Sequence, residues 1–158
     1  FFRTGDAGYI KNGELFLTDR IKDLFKTSNG KYIAPQMIES LLLVDKFIDQ
    51  VVVIANERKF VSALIVPEFR LVEEWAKDHG IAFESREDLC ANAKVNKMMM
   101  YRIQTLQQQL AHYEQIKRFT LIAHHFSMES GELTNTLKIR RPVIYKNFKE
   151  VIDKMYEE

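Results

Sequence analysis

Residues 18–39, TDRIKDLFKTSNGKYIAPQMIE, decide how the chain is read. Leu24-Phe25 and Tyr32-Ile33 are short apolar pairs on either side of Asn29-Gly30. Asn-Gly between apolar runs favours a hairpin, because both residues tolerate positive φ. Pro35 suits the first turn of a helix, where its missing N–H costs nothing. Ile38, Leu41 and Leu42 then recur at helical spacing. The run before the hairpin, Asp19-Arg20-Ile21-Lys22-Asp23, has no apolar periodicity to bury and reads as an exposed connector.

The same signals continue outward. Tyr9-Ile10 and Glu14-Leu15-Phe16-Leu17 flank Asn12-Gly13, which predicts an earlier hairpin. Val51-Val52-Val53-Ile54-Ala55 and Phe60-Val61-Ser62-Ala63-Leu64-Ile65-Val66 read as buried strands joined by a turn at Glu57-Arg58-Lys59. Residues 118–123 give a third strand candidate, and residues 70–117 read as mostly helical. Val72, Trp75, Ala76 and His79 share one helix face, which Gly80 can end. Ser85 with Asp88 marks a helix start. Met99, Ile103, Leu106, Leu110 and Tyr113 form a seam of about two heptads, too short for a coiled coil. It is expected to pack against the sheet rather than to dimerise. Ile144, Phe148, Ile152 and Met155 predict a final helix. The sum is an α+β domain: a small, mostly antiparallel sheet flanked by helices, preceded by a β-hairpin and a connector.

Composition bounds the function. A chain of 158 residues makes one domain with at most an appendage. Its apolar share of 46% supports a core without disulfides or metal. A net charge of +1 argues against a nucleic-acid-binding face, which needs a basic excess. Cys90 is alone, so no internal disulfide forms and a reducing, cytoplasmic setting is expected. His124 and His125 are adjacent, and on a strand would point to opposite faces, a poor metal pair. No segment is apolar for long enough to span a membrane. The opening, FFRTGDAGY, is unlike a signal peptide, because charge and glycine interrupt it. It lacks an initiator methionine, so a piece of a longer protein is expected.

Three motifs resemble those of the adenylate-forming (AMP-producing) ligases, in that family's order. They are Phe2-Arg3-Thr4-Gly5-Asp6, the stretch at residues 18–39, and Thr136-Leu137-Lys138-Ile139-Arg140-Arg141. The wording of the middle motif is similar to that of long-chain fatty acid–CoA ligases. The resemblance covers residues 2–66 and again 132–158. It implies that residues 1–21 end the large N-terminal adenylation domain and its hinge, and that residues 22–158 form the mobile C-terminal lid domain. Two positions depart from many relatives: Asn29 stands where glycine is common, and Asn135 where proline is.

The resemblance also assigns roles. Asp6 would accept hydrogen bonds from ribose hydroxyls, although Gly5-Asp6-Ala7-Gly8 is equally plain loop chemistry. Arg20, with its planar donor fork, would contact the nucleotide. Lys22 would be the hinge, and Gly30 would line the tunnel for the pantetheine arm of coenzyme A, with Lys26 facing the site after the lid turns. Lys138, within a Thr-x-Lys-x-x-Arg pattern, would stabilise negative charge as a carboxylate attacks the α-phosphate of ATP. Read locally, Lys138 belongs to a basic surface patch with Arg140, Arg141, Lys146 and Lys149. No protein-bound metal site is expected.

The implied activity uses ATP, Mg2+ and coenzyme A. A fatty acid becomes acyl-AMP, and coenzyme A then takes the acyl group. The implied partners are those substrates and the protein's own N-terminal domain, with peripheral membrane association left open. Two alternatives stand beside it. One is the lid of an adenylate former with another acid or a carrier-protein acceptor. The other is a noncatalytic interaction module using the seam from Met99 to Tyr113.

Overall fold

The structure, a computed structural model, describes residues 4–20 and 23–158. Strands β1 (Asp6–Lys11) and β2 (Glu14–Arg20) form the first hairpin. Asn12 and Gly13 both have positive φ, 55° and 82°, as a type I′ turn requires. Tyr9 and Phe16, opposite one another, stack with ring centroids 5.3 Å apart. The second hairpin, β3 (Phe25–Lys26) and β4 (Tyr32–Ile33), differs from the expectation. Its loop is five residues, 27–31, and within Asn29-Gly30 only Gly30 is at positive φ, 79°. Thr27 closes this longer loop: its N–H donates to Lys31 O at 2.9 Å, and its hydroxyl accepts from Lys31 N–H at 3.1 Å.

The main sheet has the order β5 (Ile48–Ile54), β6 (Val61–Pro67), β7 (Ile116–Leu121). β5 and β6 are antiparallel, as a short turn demands, with Glu57 at φ 59° in that turn. β6 and β7 are parallel. Parallel neighbours need a long crossover, and here it carries α2 (Phe69–Asp78), α3 (Arg86–Ala91) and α4 (Ala93–Leu106). The sheets are therefore mostly antiparallel, with one parallel pair at an edge.

Every residue of β6 is buried, so the central strand is covered on both faces. The period of two splits its side chains between two cores. Val61, Ala63 and Ile65 join Val95, Met99 and Ile103 of α4 on one face. Leu64 and Val66 join Ile144 of α5 (Arg141–Asn147) and Ile152 and Met155 of α6 (Lys149–Tyr156) on the other. Each fully buried aliphatic side chain contributes roughly 1.5–3 kcal/mol.

The heptad seam lies inside this arrangement. Met99 and Ile103 are fully buried, and Leu106 and Leu110 pack on the same core. The helix ends at Leu106, so Leu110 and Tyr113 do not continue its stripe. Met99 and Ile103 are thus unavailable as a partner surface, while Tyr113 is 43% exposed. The expected final helix is broken at Phe148 (φ −109°) into α5 and α6, while all four of its stripe residues stay buried. His124 and His125 follow β7 instead of lying on it. His124 stacks on Phe148, and His125 meets Asp49 at 2.9 Å. Among the described residues no helix is long and apolar enough to cross a membrane.

Candidate functional site

Lys138 sits on a tight turn between Leu133 and Ile139, which pair as an isolated antiparallel bridge. Thr134 holds the turn from both sides. Its N–H donates to Lys138 O at 2.8 Å, its Oγ1 accepts from Lys138 N–H at 3.1 Å, and its O accepts from Leu137 N–H at 2.9 Å. Asn135 therefore leaves no loose turn, because Thr134 closes it. Leu137 takes φ 61°, a conformation that costs a non-glycine residue roughly 1–2 kcal/mol. The result is an exposed Lys138 at the rim of a cleft of ≈ 360 Å³ lined also by Gln36, Glu39 and Arg141. Among the described residues no carboxylate pairs with its ammonium.

The turn is anchored three residues later. Arg141, first in α5, forks onto Glu39 of α1 (Pro35–Leu42), with Nη1–Oε1 2.6 Å and Nη2–Oε2 2.9 Å. Glu39 is only 6% exposed. Its Oε1 also accepts from Val53 N–H at 2.9 Å, and Val53 O accepts from Arg141 and Tyr145, each at 3.4 Å. The guanidinium lies 5.2 Å from the Phe25 ring centroid. Burial opposes the charge on Arg141, but the hydrogen bonds and charge of Glu39 outweigh it and hold the guanidinium above its ordinary pKa. Burial likewise pushes the Tyr145 phenol up to about 12. One ion pair thus locks α5, and with it the Lys138 turn, to α1 and β5. The sequence reading placed Arg141 in a basic surface patch, and the structure leaves only 18% of its side chain exposed. It missed Glu39, whose one signal was a carboxylate between Ile38 and Leu42 on a helix that buries both.

Gly30 lies on a separate loop, docked on the β5–β6 turn. Ser28 N–H donates to Arg58 O at 3.0 Å, Asn29 Nδ2 to Lys59 O at 3.2 Å, and Glu57 N–H to Lys26 O at 2.8 Å. Asn29 thus works through its side chain. A Cβ placed on Gly30 meets nothing within 4 Å, so positive φ is what calls for glycine there. Lys26 is exposed, its ammonium 5.9 Å from the Tyr32 ring centroid.

Asp6 and Arg20 are register partners at the open end of the first hairpin, so the structure brings these two backbone positions together. Lys22 lies outside the described residues. Cys90 is half-buried, and burial pushes its thiol up to about 11, away from nucleophilic use. Among the described residues no three His, Cys, Asp or Glu side chains converge on a metal site.

The family described as AMP-binding enzyme C-terminal domain matches residues 22–158. Long-chain-fatty-acid--CoA ligase 1 of Homo sapiens is 36% identical over 99% of this chain and 23% of its own length. The peroxisomal long chain acyl-CoA synthetase 7 of Arabidopsis thaliana is 33% identical over 100% of this chain and 23% of its own. The chain therefore spans about a quarter of the curated relatives it matches. Among solved structures, the adenylation domain of the carboxylate reductase from Mycobacterium chelonae superposes with a TM-score of 0.78. That likeness covers 100% of this chain and 23% of the other at 23% identity, and it shows the same fold. With six-sevenths of its residues matched, the chain belongs to the AMP-binding enzyme C-terminal domain family.

Proposed function

We propose that the chain is the C-terminal lid domain of an AMP-forming long-chain fatty acid–CoA ligase. In the whole protein a fatty acid carboxylate attacks the α-phosphorus of ATP, giving acyl-AMP and pyrophosphate. The coenzyme A thiol then attacks the acyl carbonyl, forming the thioester and releasing AMP. The observation that carries the reading is Lys138, an exposed cation on a turn locked by the Glu39–Arg141 pair. A positioned cation is what the first step needs, because both reactants are anionic.

The other roles follow from this reading. Asp6 and Arg20 hold the ribose, Lys22 is the hinge, and the Gly30 loop faces the pantetheine arm, with Lys26 beside it. Residues 1–21 end the preceding domain, and residues 22–158 are the lid. The side chains of Ile10, Leu15 and Leu17, 66–75% exposed, suit a hairpin that packs into a further domain. Magnesium enters as MgATP.

The test is the full-length protein assayed with ATP, coenzyme A and palmitate. Palmitoyl-CoA and AMP are expected in equal amounts. Loading of a carrier protein, or a preference for aromatic acids, would move the chain to another adenylate former. The chain alone should be silent, and turnover at roughly 1 per second or above would overturn the lid assignment.

A further inference from the structure

The two edges of the main sheet are treated differently. On β5, Val53 N–H and C=O are taken by Glu39, Arg141 and Tyr145, and Gln50 exchanges two hydrogen bonds with the backbone of Phe126, at 2.7 and 3.2 Å. Val53 is thereby closed to pairing on that edge. β7 is the other edge, and among the described residues no strand lies beyond it. Among the described residues, side-chain hydrogen bonds close its first residue: the Gln107 amide accepts from Ile116 N–H at 2.8 Å and donates to Ile116 O at 3.1 Å. Ile122 N–H points inward, to Ile65 O at 2.8 Å. Backbone groups alternate along a strand, so Thr120 and Arg118 also face β6, and Phe119 and Leu121 turn their N–H and C=O outward.

This open edge is the floor of a groove of ≈ 490 Å³. Met100 of α4 stands on one wall, and Lys154 and Met155 of α6 on the other. Phe119 packs toward the α4 core, while Arg118 reaches α6, donating to Met155 O at 2.8 Å. The α4 side therefore offers Met100 and Phe119 beside the polar Asn96, and the α6 side carries Arg118 and Lys154, with Lys117 at the start of the strand.

We propose that this groove binds an extended peptide segment as a fourth strand, with apolar and acidic side chains in alternation. An added strand supplies hydrogen bonds to Phe119 and Leu121. Its residues point alternately to the two walls, apolar ones to Met100 and Phe119 and acidic ones to Arg118 and Lys154. Charge selects this occupant over the rivals. Two copies pairing groove to groove would oppose like charges. A bilayer surface cannot reach edge amides that lie between two helices.

The test uses the 158-residue chain and a capped hexapeptide of alternating glutamate and valine, followed by backbone amide NMR. Saturable shifts are expected at Phe119 and Leu121, with at least tenfold slower hydrogen exchange at both. Lys117→Glu with Lys154→Glu, both exposed, should weaken binding at least tenfold. A lysine–valine peptide, or one with N-methylated edge amides, should not bind. Absence of binding would overturn the proposal, as would binding without protection at Phe119 and Leu121. So would dimerisation of the chain through β7, or binding to phosphatidylserine vesicles in place of the peptide.

Discussion

Glu39 and Arg141 lie 102 positions apart in the sequence and meet as a buried, two-pronged ion pair. Their side chains are 8% and 18% exposed, so solvent screens them little. The pair occupies the backbone edge of β5 at Val53 and fixes the start of α5. It links the helix that follows the Gly30 hairpin to the turn that carries Lys138.

Removing one partner should be strongly destabilising, because it strands the other charge in the interior. Arg141→Met or Glu39→Gln is expected to lower the unfolding free energy by about 3 kcal/mol, read from urea denaturation of the chain. Replacing both partners, Glu39→Leu with Arg141→Met, should lose less than the two single losses combined. Single losses under about 1 kcal/mol would show that the pair does not hold the domain together.

Tyr145 gives a pH signature. Its folded pKa, about 12, lies above the ordinary 10.0. A raised value means that the stabilisation is complete below pH 10 and is lost as pH climbs through 12. Unfolding free energy should fall over that window, and Tyr145→Phe should flatten the fall by up to about 2 kcal/mol. Tyr156 is also raised by burial, so some slope should remain in the variant. An unchanged slope would mean that Tyr145 ionises freely.

Local chemistry made much of the fold legible. Asn12-Gly13 specified its own turn, and unbroken apolar runs marked β5 and β6, because a strand buried on both faces has no polar alternation. Ser85 announced α3, since its side chain accepts from Asp88 N–H at 3.1 Å. What stayed hidden was non-local. The break at Phe148 has no proline or glycine, and helical spacing runs straight through it. Nothing in the crossover's sequence says that β7 pairs parallel to β6. Arg141 stood in a basic run, and only the folded chain delivers Glu39 to it. Lys138, Gly30, Asp6 and Arg20 came from motif wording, since a lone lysine or glycine carries no role by itself.

Lys138→Ala in the full-length protein should injure adenylation selectively. The side chain is exposed and makes no ion pair among the described residues, so folding should survive its loss. Loss of such a transition-state contact commonly lowers the rate on the order of 100-fold or more. Supplied acyl-AMP should still be converted to acyl-CoA at close to the normal rate. An equal fall in both half-reactions would make Lys138 a structural residue.

Gly30→Val should do the reverse. The position has φ 79°, where a β-branched residue is strained, yet a Cβ has open space around it. Backbone strain and obstruction can therefore be separated. Gly30→Asn adds a side chain that tolerates this φ, so it should fold normally and still hinder a ligand passing over the loop. If the loop lines the coenzyme A path, both variants should form acyl-AMP at the usual rate and accumulate it in single turnovers with labelled ATP. Both should also need more coenzyme A to clear it. A normal thioester step in a folded Gly30→Asn variant would leave Gly30 as a turn glycine, required by its backbone angle alone.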